Sequence, residues 1–356
     1  MGNKFMLFLL VWFIIAGFVI VGAVEALSYA GIAERNALLQ SPWLTIGIQV
    51  LGLLVPMFVW LSVKKQSFKA NMPSMPLGGT NIVIIVLLGF FLQPAMMLIS
   101  SISSLFFTNH VTEMMYGALE QPIWLILLAM AVTPAIVEEL VFRGYLQTQH
   151  SNFPIRQAAL VNGLFFGIIH LNPQQFSYAF VLGIVFAYMV YYTRSIWAGI
   201  LPHFIFNASQ GLLGRWAFNT AANPEPVYEA PITWALMESN PELAGVIVMA
   251  VITLFASPII ISLFVALVKH NKSRVEVPQI AQAEYQPPTC SEYCSASASN
   301  WPTSYVPPST NTPNWATPHV PPDNFAVEPP PRLFDKFTIA VIAIFIVFSI
   351  FPYLIA

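Results

Sequence analysis

Long apolar stretches separated by short polar breaks occupy most of this chain. They lie near residues 5–24, 43–62, 82–103, 123–147, 155–171, 176–193, 195–213, 244–268 and 337–356. Each approaches the ~20 residues that a helix, rising about 1.5 Å per residue, needs to cross roughly 30 Å of hydrocarbon. Inside lipid a single segment satisfies its own backbone hydrogen bonds only as a helix, so the pattern predicts nine membrane-spanning helices. The expected fold class is all-α, a polytopic membrane helical bundle.

Composition agrees with that reading. The 356 residues are 57% hydrophobic and only 8% charged, whereas globular domains carry about a quarter charged residues. No basic tract suggests nucleic acid, which is excluded as a partner; membrane lipids are the expected surroundings. The basic residues orient the chain. With a cytoplasmic N-terminus, Lys4, Lys64, Lys65, Lys69, Arg143, Arg156, Arg194, Lys269, Lys272, Arg274, Arg332 and Lys336 face the cytoplasm, leaving Arg35 and Arg215 outside. The opposite orientation inverts that ratio, against the positive-inside rule. The first apolar run exceeds the 7–15 residues of a cleaved signal segment, so a retained helix is expected.

The chain divides by composition. Residues 1–122 hold three predicted helices, 123–213 four, and 214–243 an outside loop with Glu225, Glu229, Glu238 and Glu242; 244–268 is the eighth helix. Residues 275–332 contain thirteen of the 29 prolines with many Ser, Thr, Asn and Gln, the signature of a disordered or polyproline II linker. Such a tether makes the ninth helix, 337–356, look like an appendage to the others. Cys290 and Cys294 lie in this cytoplasmic linker, where a structural disulfide is not expected, and no role is assigned to them.

The chemistry concentrates in 123–213. Glu138 and Glu139 are adjacent acids inside an apolar span, where one charge costs roughly 3 kcal/mol on insertion scales, so they must be neutralised, paired or used. Glu139 and Arg143 stand four apart and share a helical face, which allows an ion pair; Glu138 is rotated about 100° away. Pro134, one turn earlier, removes a backbone donor and predicts a kink with an exposed carbonyl. Of six histidines only His170 and His203 fall in spans, and His203 shares its face with Asn207 four residues on. Counted at about 1.5 Å per residue from the cytoplasmic ends, Glu138 lies roughly 18 Å deep, His170 roughly 24 Å, His203 roughly 14 Å and Asn207 roughly 20 Å. Three helices thus bring a carboxylate, two imidazoles and an amide to similar depth. Intramembrane polar groups often serve only to tie helices together, but four of them, carried by three separate helices to one level, point to a hydrated functional pocket.

Glu138-Glu139-Leu140-Val141-Phe142-Arg143 resembles an EExxxR motif, Phe166-xxx-His170 an FxxxH motif and His203-xxx-Asn207 an HxxxN motif. Their order resembles that of the CPBP (Abi) family, which includes type II CAAX prenyl proteases and bacteriocin-processing or self-immunity proteins. The resemblance implies an intramembrane endopeptidase with an eight-helix core, to which the ninth helix is an addition. It implies that Glu138 activates water, that Glu139 with Arg143 supports the local structure, and that His170 assists the water or binds a metal. It further implies that His203 and Asn207 stabilise the oxyanion, that the substrate is a peptide or protein, and that the location is a bacterial inner membrane. No isoprenyl substrate follows, because bacterial-type members need not process CAAX tails.

The residues themselves agree with amide hydrolysis, which needs a base for water, donors for a tetrahedral oxyanion and a restricted cavity. A zinc ion held by Glu138, His170 and His203 stays open as an alternative, although it leaves the base unassigned and HExxH is absent. Glu-activated water is the preferred reading. Two other classes fit the same residues: a noncatalytic adaptor or self-immunity protein, and a proton-coupled transporter using Glu138 and the histidines as a relay. The sequence sets no oligomeric state.

Overall fold

The computed structural model describes residues 1–107, 121–222, 240–275 and 334–350. Among these the chain is helical, with one isolated antiparallel bridge between Ser74 and Ser195 and no β-strand. The helices are α1 (Gly2–Tyr29), α2 (Pro42–Val63), α3 (Gly79–Ser104), α4 (Ile123–Gln149), α5 (Ile155–Ile168), α6 (Pro173–Thr193), α7 (Trp197–Ala222), α8 (Pro241–His270) and α9 (Lys336–Ile350). Six, namely α1–α4, α6 and α8, are long and apolar enough to cross a membrane, which makes this an integral membrane protein. Six of the nine expected spans are thus matched at that length and hydropathy among the described residues. α5 and α9 are shorter apolar helices, and α7 carries His203, Asn207, Ser209 and Gln210, which lower its hydropathy. The predicted linker beyond Val275, most of the outside loop, and both cysteines lie outside the described residues.

Two helices widen before a proline. Val50–Leu54 precedes Pro56 and Leu128–Val132 precedes Pro134, and both stretches are π-helical. A wide turn accommodates the ring and the missing N–H. Beside Pro134 the Thr133 hydroxyl donates to Leu128 O at 2.8 Å, a further tie across the wide turn.

Lipid is as apolar as leucine, so packing and interhelical hydrogen bonds, rather than hydrophobic burial, hold these helices together. One core gathers α1, α2, α4, α5 and α9 around Phe5, Met57, Phe142 and Phe165. A second gathers α3, α6, α7 and α8 around Leu88, Phe186 and Leu267. Between them α4, α5 and α6 are stitched by amides: Asn162 Nδ2 donates to Phe142 O at 2.7 Å and Gln147 Nε2 to Ala187 O at 2.9 Å. α5 and α6 touch backbone to backbone at Gly163 and Gly183, where a Cβ on Gly183 would stand 2.6 Å from Gly163 Cα. Only glycine permits that approach.

Candidate functional site

The two acids end a regular stretch of α4, and the following turn, Leu140–Leu146, is again π-helical, here without a proline. Such insertions cluster at functional positions. Arg143 leaves this turn fully buried and donates from Nη1 to Glu139 Oε1 at 2.7 Å. The expected Glu139–Arg143 pair is thus present, and it has a further member: His203 Nδ1 donates to the same Glu139 oxygen at 2.9 Å. Glu139 therefore orients an imidazole as well as neutralising a guanidinium, a link the sequence did not show.

That link needs close approach of α7 to α4, and Gly199 provides it. A Cβ at Gly199 would collide with Glu139 Oε2. Once Nδ1 is held by Glu139, His203 Nε2 is left for the interior of the site, 3.9 Å from Glu138 Oε2. Glu138 is 7% exposed, and its Oε2 has no hydrogen-bond partner among the described residues. The adjacent acids are thereby divided between two tasks.

Aromatic rings fix the remaining groups. The Arg143 guanidinium lies 4.1 Å from the Phe166 ring centre and 5.4 Å from that of Phe186, so the cation is compensated by π faces as well as by Glu139. Phe166 also meets both imidazoles edge-on, with centroids 5.3 Å from His170 and 5.8 Å from His203. Phe186, from the second core, packs on His203 at 5.8 Å. The site therefore lies where the two cores join. Phe186 and Gly199 carried no sequence signal, because an apolar ring or a glycine in a span is ordinary until its neighbour is known.

His170 stands in the four-residue turn Ile169–Asn172 between α5 and α6. Its Nδ1 lies 2.8 Å from Phe166 O. A carbonyl can only accept, so Nδ1 carries the proton and a neutral His170 keeps its lone pair on Nε2. Leu171 adopts φ +48°, and Asn172 caps α6 by accepting from the backbone N–H groups of Gln174 and Gln175 at 2.9 and 3.1 Å.

The structure thus joins Glu138, Glu139, Arg143 and His203 directly and brings His170 in through Phe166. Asn207 is half-buried one turn further along α7, with no side-chain hydrogen bond among the described residues. Among the described residues no three His, Cys, Asp or Glu side chains gather as a metal site. Glu138, His170 and His203 are not gathered into the His₂Glu set left open by the sequence among the described residues.

Comparison with known proteins agrees with the motif order. The model of the family "Type II CAAX prenyl endopeptidase Rce1-like" matches residues 120–209, from the start of α4 into α7. That match supports a CAAX-type intramembrane protease, a hydrolase, and is consistent with the CPBP resemblance. No curated protein and no solved structure matches the chain.

Proposed function

We propose, from the family match over α4–α7 together with the division of labour between the two acids, that this protein is an intramembrane endopeptidase working through Glu138-activated water. Residues 123–213 form its catalytic module. Glu138 takes a proton from water, and the resulting nucleophile attacks the scissile carbonyl. His170 assists by accepting from that water at Nε2. His203, held at Nδ1 by Glu139, presents Nε2 to the oxyanion, with the Asn207 amide donating beside it. Protonated Glu138 then delivers its proton to the leaving amine. Glu139 and Arg143 hold His203 in place.

The single observation carrying this reading is Glu138 Oε2, buried without a hydrogen-bond partner among the described residues and 3.9 Å from His203 Nε2. A buried acid that serves only structure is normally paired. The partners are a membrane-associated peptide or protein substrate, of which a prenylated tail is one class, and the surrounding lipids. The protein sits in a bacterial inner membrane with its N-terminus in the cytoplasm.

The test compares wild type with Glu138→Gln on a fluorogenic farnesylated peptide ending in a CAAX sequence, in detergent micelles. Cleavage falls at least about a thousandfold while expression and thermal midpoint stay near wild type; general acid–base loss alone is worth about 10²–10⁴. Equal cleavage by the two proteins refutes the assignment. Peptide binding without cleavage by wild type identifies an adaptor, and gradient-dependent solute uptake in vesicles identifies a transporter.

A further inference from the structure

The ninth helix, expected to hang from its linker as an appendage, is docked. Val341 and Phe345 of α9 are buried and belong to the same core as Phe166 and Ile169. The Phe345 ring lies 5.0 Å from that of Phe176, in the first turn of α6. Phe176 seats in turn on Gly167, where a Cβ would come 2.7 Å from the ring. Gly167 lies between Phe166 and His170 in the chain. A short run of contacts therefore leads from the C-terminal helix to the turn that carries His170.

That turn needs holding. α5 has 14 residues, roughly 21 Å of rise against a hydrocarbon core of about 30 Å. Its end and the Ile169–Asn172 connection fall within membrane depth, where irregular backbone persists only when covered by protein or water. Leu171 at φ +48° is in a left-handed conformation that a leucine keeps only when its surroundings impose it. α9 shares a core with this stretch, and its Phe345 ring meets Phe176 in the first turn of α6, just past the connection.

We infer that α9 is a positioning element of the site: Phe345, acting through Phe176 against Gly167, holds the His170 turn in its left-handed conformation. The inference rests on the role proposed for His170. Its test uses the full chain in two readouts. The first is kcat and KM on the farnesylated fluorogenic CAAX peptide for wild type, Phe345→Leu and Phe345→Ala. The second is independent of activity: in a Cys290→Ser, Cys294→Ser background, a Leu171→Cys reporter is labelled with a membrane-impermeant maleimide, with and without the Phe345 changes.

A loosened turn misplaces His170 without touching the substrate, and small displacements of catalytic groups are costly to rate. The expected result is a kcat lower by about tenfold in Phe345→Ala with KM within about twofold, substantial recovery in Phe345→Leu, and labelling at position 171 faster by about tenfold. If Phe345→Ala does not accumulate, Phe345→Leu and Phe345→Val give the same ordering with smaller changes. If wild type cleaves nothing yet labelling rises, the endopeptidase reading falls and the positioning of the turn stands. If wild type cleaves, Glu138→Gln does not, and Phe345→Ala matches wild type in both readouts, the inference is overturned.

Discussion

Replacing Arg143 with Ala removes a buried charge that several partners hold. The guanidinium is fully buried, donates to Glu139 Oε1 at 2.7 Å and to Gly183 O at 3.4 Å, and stacks on Phe166 at 4.1 Å. Its loss leaves the Glu139 carboxylate buried with His203 as its one remaining hydrogen-bond donor among the described residues. Breaking one side of a buried pair costs about 3–5 kcal/mol, most of it from the stranded charge. The lost cation–π contact, about 2 kcal/mol when desolvated, overlaps with that figure rather than adding to it. At roughly 1.5–2 °C per kcal/mol, extrapolated to a chain this long, the thermal midpoint drops by roughly 5–10 °C.

The assay is thermal unfolding in detergent followed by the intrinsic fluorescence of the nine tryptophans. A double-mutant cycle separates pairing from packing. Glu139→Gln with Arg143→Met removes both charges and costs less than the two single changes summed, with a coupling of about 1.5–3 kcal/mol. A midpoint for Arg143→Ala within a degree or so of wild type, or strict additivity in the cycle, refutes the stranded-charge reasoning.

Two further outcomes are expected. Gly199→Ala pushes the Glu139 carboxylate away from α7, so it destabilises by about 1–3 kcal/mol and lowers peptidase activity by loosening His203; undiminished stability and activity would show that α7 yields freely there. His150, just beyond α4, is pushed down from 6.5 to about 4 by burial, with the N-terminal ammonium adding to the effect and Asp335 opposing it. The folded state thus stays neutral while the unfolded state protonates, so stability is complete above about pH 6.5, falls between 6.5 and 4 by up to about 3 kcal/mol, and levels off below. A His150→Gln variant flattens the dependence of thermal midpoint on pH in that window, and an unchanged slope refutes it.

Run length and periodicity reveal what is local to one helix. The apolar stretches foretold an all-helical membrane bundle because a span must close its own hydrogen bonds. The spacing of Glu139 and Arg143 foretold their pair because residues four apart share a face, and the order of the EExxxR, FxxxH and HxxxN motifs agreed with the family matched over 120–209. Composition also suggested a detached ninth helix, and there packing decided otherwise: Val341 and Phe345 are core residues.

What joins separate helices is absent from any linear pattern. One oxygen of Glu139 serves both Arg143 and His203, sixty-four positions away, because Gly199 lets α7 close on α4. Phe166 faces a guanidinium and two imidazoles because two cores meet at its ring. Even the length of α5 was overread, since polar and apolar residues alike continue past Ile168 while the backbone turns at Leu171. Sequence periodicity encodes which side of a helix a residue occupies; which neighbour stands opposite depends on how closely and at what register two helices pack, and that is a property of the assembled bundle.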